Sequence, residues 1–133
     1  IEPTIIKKNN KKNFKQIDIK NNHLKLVKKA LFKAVNEQKG TAFKSRSNLY
    51  NYSGKTGTSQ VKRITIEERE SEDFRKKLLA WKNRDHALFV GYMPTKQPKY
   101  AISVVIEHGG SGASIAAPIT KKIFDYLHKI NFS

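Results

Sequence analysis

The sequence contains no cysteine, which excludes disulfides, thiol nucleophiles and zinc–thiolate centres. It also lacks any apolar run near the roughly 20 residues that cross a bilayer, and it does not open on a signal peptide. Instead Ile1 leads directly into a charged stretch containing Pro3, an opening expected of a segment internal to a longer protein. Proline and glycine are sparse, 4 and 7 residues in 133, so collagen-like and linker-like compositions are excluded. No internal repeat is present. Acidic residues are the scarcest class relative to their counterpart, 11 against 27 Lys and Arg, for a net charge of +16.

What remains is 38% hydrophobic, enough for one domain with one modest core. The positive charge is uneven. Residues 1–63 carry 16 basic residues against Glu2, Asp18 and Glu37, whereas the remainder is nearly balanced. Such a block invites a nucleic-acid or anionic-membrane reading centred on residues 7–39. The basic residues there are Lys among Asn and Ile, a mixture that compositional bias also produces. Specific nucleic-acid readers use Arg forks and stacking aromatics, and residues 7–20 offer only Phe14. The basic module is therefore the alternative reading, and no nucleic-acid partner is expected.

Residues 1–20 read as a basic extended segment. Asn21 or Asn22 is suited to cap a helix over 23–38, with Leu24, Val27, Ala30, Leu31, Ala34 and Val35 on one arc packed on a core, and Gly40 as its stop. Residues 41–54 are loop-like. Residues 54–66 (GKTGTSQVKRITI) read as a strand, followed by a charged connection that turns helical around Phe74–Trp81. Residues 85–93 and 100–107 are the best strands, joined through Pro94–Lys99 as a hairpin. Residues 108–112 form a turn. A last helix carries Pro118 in its first turn and Ile119, Ile123, Tyr126, Leu127 and Ile130 on its inner face. Short connections favour an antiparallel sheet with helices packed on it, an α+β fold of about three strands, an amphipathic helix and a C-terminal helix.

Lys55-Thr56-Gly57-Thr58 opens the first strand. An ammonium and two hydroxyls suit a carboxylate, glycine lets a substrate backbone approach, and a main-chain N–H can donate to an oxyanion. Four residues are weak evidence alone, but their order with YSGKTGTSQVKRI, RDHALFVGYMPTKQPKYAISVVIEHGGSG and the helix LKLVKKALFKAVNEQKGTAF is more specific. Over residues 21–130 the chain resembles the end of class B penicillin-binding proteins of the cell-elongation type. In that family, as in serine β-lactamases, a Lys-Thr-Gly strand accompanies a Ser-x-x-Lys nucleophile and a Ser-x-Asn element.

The resemblance implies residues 21–133 to be the C-terminal part of one transpeptidase domain with the serine β-lactamase-like fold. Lys55 would then organise the active-site hydrogen bonds. Thr56 and Thr58 would hold the carboxylate of a stem peptide or a β-lactam, Gly57 would keep the strand edge open, and the Thr58 N–H would form half of the oxyanion hole. Neither metal nor cofactor is implied. The whole protein would be anchored in the inner membrane by a segment outside this chain, facing the wall, and the incomplete domain would tend to form a homodimer.

Ser-x-Asn is absent, and the one Ser-x-x-Lys is Ser59-Gln-Val-Lys62. A spacing of three on a strand sends two side chains to opposite faces, so Ser59 reads as a strand residue and the nucleophile is expected from outside this chain. Gly54-Lys55-Thr56 is no P-loop, since the required earlier glycine position holds Leu49. The four histidines lack metal spacing, and the acidic run from Glu67 to Asp73 lacks the alternation of a calcium loop.

Overall fold

The computed structural model describes residues 18–61, 65–70 and 80–132. Helix α1 spans Asn21–Asn36, and a single 3-10 turn follows at Phe43–Ser45. Strand β1 spans Ser53–Ser59. A short helix α2 covers Ile66–Glu70, and a 3-10 turn at Trp81–Asn83 leads into β2, His86–Met93. Strand β3 spans Tyr100–Ile106. A π-helical turn at Gly112–Ala116 then runs into α3, Ala117–Phe132.

The three strands form one antiparallel sheet in the order β1-β2-β3. Thr56 stands opposite Phe89 and Thr58 opposite Ala87; Phe89 in turn faces Val104. Strand alternation therefore puts Tyr52, Thr56 and Thr58 on the face that carries Phe89, and Ser53, Lys55 and Gly57 on the other. The first face holds the core. Tyr52, Phe89, Met93 and Phe124 are fully or almost fully buried, with Val35, Ala42, Ala87, Val104, Ala116 and Ala117 around them. The Tyr52 ring meets Phe124 edge-on at 5.2 Å and Phe89 at 6.3 Å. Its hydroxyl donates to the Ser45 carbonyl at 2.7 Å, so burial leaves no unpaired phenol there.

The structure departs from the sequence-based expectations at several places. Asn21 and Asn22 lie inside α1 and Lys20 stands at the cap, with no side-chain capping bond. The apolar arc of α1 is not packed along its length: Val35 is buried, whereas Leu24 and Val27 are exposed. Strand β1 ends at Ser59, and Ile66 belongs to α2 rather than to a longer strand. Finally, α3 is turned about its axis relative to the expected inner face. Ala117, Thr120 and Phe124 are buried and the expected Ile119 and Leu127 pack partly against the core, while Ile123, Tyr126 and Ile130 are exposed. Small residues at the start of the helix let its backbone come close to the sheet, and the Thr120 hydroxyl satisfies itself on the Ala116 carbonyl at 3.0 Å. Phe74 and Leu78 of the expected helical connection lie outside the described residues.

α1 ends at Asn36 with Glu37 as its cap, earlier than the stop expected at Gly40, and Gly40 serves packing instead. A Cβ there would collide with the carbonyl oxygens of Lys33 and Ala34. The chain can then fold back tightly, with the Gly40 N–H donating to Glu37 at 2.8 Å and the Ala42 N–H to Ala34 at 2.9 Å.

Candidate active site

β1 carries Lys55, Thr56, Gly57 and Thr58 side by side. It is paired with β2 on one side and has no strand partner on the other among the described residues. A peptide laid along that edge would meet the Lys55 ammonium from one face and the two threonine hydroxyls from the other. Lys55 is exposed, and its ammonium donates to the Thr56 carbonyl at 2.7 Å. It borders a groove of about 330 Å³, lined further by Ala30, Leu31, Ala34, Glu37 and Thr41. The Thr56 hydroxyl is half-buried and donates to the Thr41 hydroxyl at 3.1 Å. Thr58 and Ser59 are exposed, and Ser59 ends the strand opposite His86. Ser59 is thus a strand residue, in line with the reading that denied it a helical nucleophile setting.

Two anchors hold this strand. Asn36 at the end of α1 donates through Nδ2 to the Tyr52 carbonyl at 2.8 Å, tying the entry of β1 to the helix. At the other end, Gly112 passes directly over the strand: a Cβ there would collide with the carbonyl oxygens of Gly57 and Leu88. Gly57 itself is less constrained, since a Cβ would meet only the Leu88 Cβ at 3.3 Å. Close backbone approach at this point is therefore required of Gly112 rather than of Gly57. The sequence reading placed Gly112 in a simple turn and missed this. The turn function falls instead on His108 and Gly110, at φ 54° and 82°.

A second polar group, also unforeseen, ties the segment before β1 to α3. The Tyr50 hydroxyl donates to Asp125 Oδ1 at 2.7 Å, Lys121 donates to Oδ2 at 2.6 Å, and the Tyr50 ring lies 4.7 Å from that of His128. Burial, reinforced by the Asp125 carboxylate, pushes the Tyr50 phenol far above its ordinary value, so it remains a donor. For Asp125, burial would raise the pKa, but hydrogen bonds from Lys121 and Tyr50 outweigh it and hold the carboxyl below its usual range. The pairing spans 75 residues of sequence, and no local signal marks it.

His86 and His108 meet edge-on at 4.8 Å. The His108 N–H donates to His86 Nδ1 at 2.9 Å, which places the proton of a neutral His86 ring on Nε2. Among the described residues no group of three His, Asp or Glu is disposed to hold a metal.

A sheet whose edge strand carries this motif, with α1 against β1 and α3 against β2 and β3 around one shared core, has the α+β design of serine acyl-transfer domains. The penicillin-binding protein transpeptidase domain matches residues 1–125, and the chain belongs to that family. Among its relatives is the peptidoglycan D,D-transpeptidase MrdA of Salmonella typhimurium, 36% identical over 103 residues that make up 77% of this chain and 16% of that protein. The Acinetobacter baumannii MrdA is 44% identical over 89 residues, 67% of this chain and 12% of its own length. Among solved structures, the complex of the Helicobacter pylori penicillin-binding protein PBP2 with MreC superposes with a TM-score of 0.67 at 25% identity, covering 84% of this chain and 18% of that one. The chain therefore spans about one sixth of the length of the curated relatives it matches.

Proposed function

We propose that this chain is part of a peptidoglycan D,D-transpeptidase and supplies the substrate-binding strand of its active site. The observation that carries the reading is the placement of Lys55, Thr56, Gly57 and Thr58 on the outer strand of the sheet, in a chain of this family. A serine from outside residues 1–133 attacks the carbonyl of the penultimate D-alanine of a stem peptide. The terminal D-alanine leaves, and an amine of a second stem resolves the acyl-enzyme into a cross-link. Lys55 orders the hydrogen bonds around the nucleophile and balances the charge of the substrate carboxylate. Thr56 and Thr58 donate to that carboxylate, and the Thr58 N–H faces the developing oxyanion. A β-lactam acylates the same serine. The reaction takes place on the wall-facing side of the inner membrane, with the anchor supplied by sequence outside this chain; no helix among the described residues is long and apolar enough to cross a membrane. The isolated chain associates with itself through the apolar surface left uncovered in α1 and the sheet.

The test is acylation by a labelled penicillin, followed by intact mass. In the complete transpeptidase, Lys55→Ala slows acylation by on the order of 10² or more, the scale of lost preorganised electrostatic help. Folding is nearly unchanged, because the side chain is exposed. The isolated chain acquires no penicilloyl group in the same assay. Unaltered kinetics in the variant, or an adduct on the isolated chain, would overturn the assignment.

A further inference from the structure

We propose that Thr41 is a positioning residue that holds and polarises the Thr56 hydroxyl for an incoming carboxylate; this rests on the reading of Thr56 given above. A threonine hydroxyl has one proton and two lone pairs, and a carboxylate only accepts. The Thr56 hydroxyl directs its proton to Thr41 Oγ1, 3.1 Å away. Binding therefore calls for an exchange of roles. Thr56 turns its proton to the carboxylate, and Thr41 turns its own proton onto Thr56 Oγ1. Both hydroxyl protons rotate in this exchange. The reversed bond donates into an oxygen that is itself donating to an anion, so the two bonds strengthen each other.

The surroundings of Thr41 favour such a role. Its neighbour Gly40 is pressed against the last carbonyls of α1, where no Cβ fits. Its other neighbour, Ala42, is buried in the core. The Gly40 and Phe43 amides, donating to Glu37 and Gly40, close the turn on both sides of it. Thr41 is itself exposed and borders the groove beside Lys55, so its side chain serves no core packing. The backbone thus presents one hydroxyl at a fixed point next to the motif, and that hydroxyl selects one of the three staggered positions open to the Thr56 oxygen.

The experiment measures β-lactam acylation of the complete transpeptidase at saturating and sub-saturating drug, for Thr41→Val, Thr41→Ser, Thr56→Val and the double valine variant. Losing the rotamer restraint leaves the hydroxyl correctly placed about a third of the time, and lost polarisation adds to this. Thr41→Val is therefore expected to raise the drug concentration for half-maximal acylation about three- to fivefold. The rate at saturation stays within about twofold, and Thr41→Ser restores the wild-type value. In the Thr56→Val background, Thr41→Val adds nothing, because the oxygen it acts through is gone. Wild-type behaviour of Thr41→Val alongside a weakened Thr56→Val overturns the role of Thr41 and leaves the role of Thr56 standing. Wild-type behaviour of Thr56→Val removes both. A defect in the saturated rate, or failure of serine to rescue, also overturns the proposal. If Thr41→Val does not fold, Thr41→Ala is read by the same criteria.

Discussion

At the scale of single residues, the least legible feature is the pairing of Tyr50 with Asp125. Tyrosine and aspartate 75 positions apart carry no mutual signal in the sequence. Their geometry nevertheless has a pH signature. The Asp125 carboxyl is held below its usual range in the folded protein, so the unfolded chain takes up the proton first as pH falls. Its contribution to stability is complete above the unfolded aspartate value near pH 4, and it is lost as pH drops through the depressed native value. The Asp125 side chain is 39% exposed, so solvent screens it and its contribution is of the order of a surface ion pair. Asp125→Asn is expected to cost about 1 kcal/mol at pH 7 and to flatten the acid limb below pH 4. Urea unfolding at a series of pH values checks both; a variant with an unchanged acid limb would deny the carboxylate this role.

At the scale of elements, the strands were legible because β-branched and aromatic residues alternate along them, and all three appear within a residue or two of the expected start. The C-terminal end of β1 was misjudged: Val61, Thr65 and Ile66 look β-forming, yet pairing with β2 ends at Ser59 opposite His86 and Ile66 opens α2. Helix α3 shows the opposite problem. Ile123, Tyr126 and Ile130 were expected to face inward and are exposed, whereas Ile119 and Leu127 do pack partly against the core; bulk along the exposed stripe would hold the helix away from the sheet. Ala116, Ala117 and Thr120 permit the close approach instead, and Phe124 then fills the space beside Tyr52. The approach depends on Gly112. Gly112→Ala puts a methyl group into the Gly57 and Leu88 carbonyls, so the π-helical turn must lift from the sheet. The expected cost is about 2–3 kcal/mol, as for overpacking a tight contact, read as a lower midpoint of thermal unfolding. A midpoint equal to that of the unaltered protein would mean that this contact bears no strain.

For the whole molecule, the surface that stays open is as informative as the core. Val90 and Val105 on the outer sheet face are 51% and 57% exposed, Leu26 on α1 67%, and Tyr126 on α3 64%. Exposed apolar side chains of this kind, with β1 and β3 unpaired on their outer sides among the described residues, seek partners. The net charge of +16 opposes self-association, but charges are screened beyond about 8 Å at 0.15 M salt. Burying several hundred Å² at about 25 cal/mol/Å² outweighs a few screened repulsions. Sedimentation equilibrium at 0.15 M salt is expected to show a dimer or larger species. A monomer mass from micromolar to hundred-micromolar concentration would overturn this.

The sequence by itself determined the class of fold, the order of its elements and the position of the Lys55–Thr58 motif. Periodicity, turn residues and a four-residue motif are local properties, readable without contacts. The tertiary structure decided which stripe of α3 faces inward, how little of α1 is covered and where a glycine is indispensable. It also brought Thr41 to Thr56 and Tyr50 to Asp125. Each of these depends on how closely two backbones approach, and that distance is set by the close packing of the core rather than by any residue pattern along the chain.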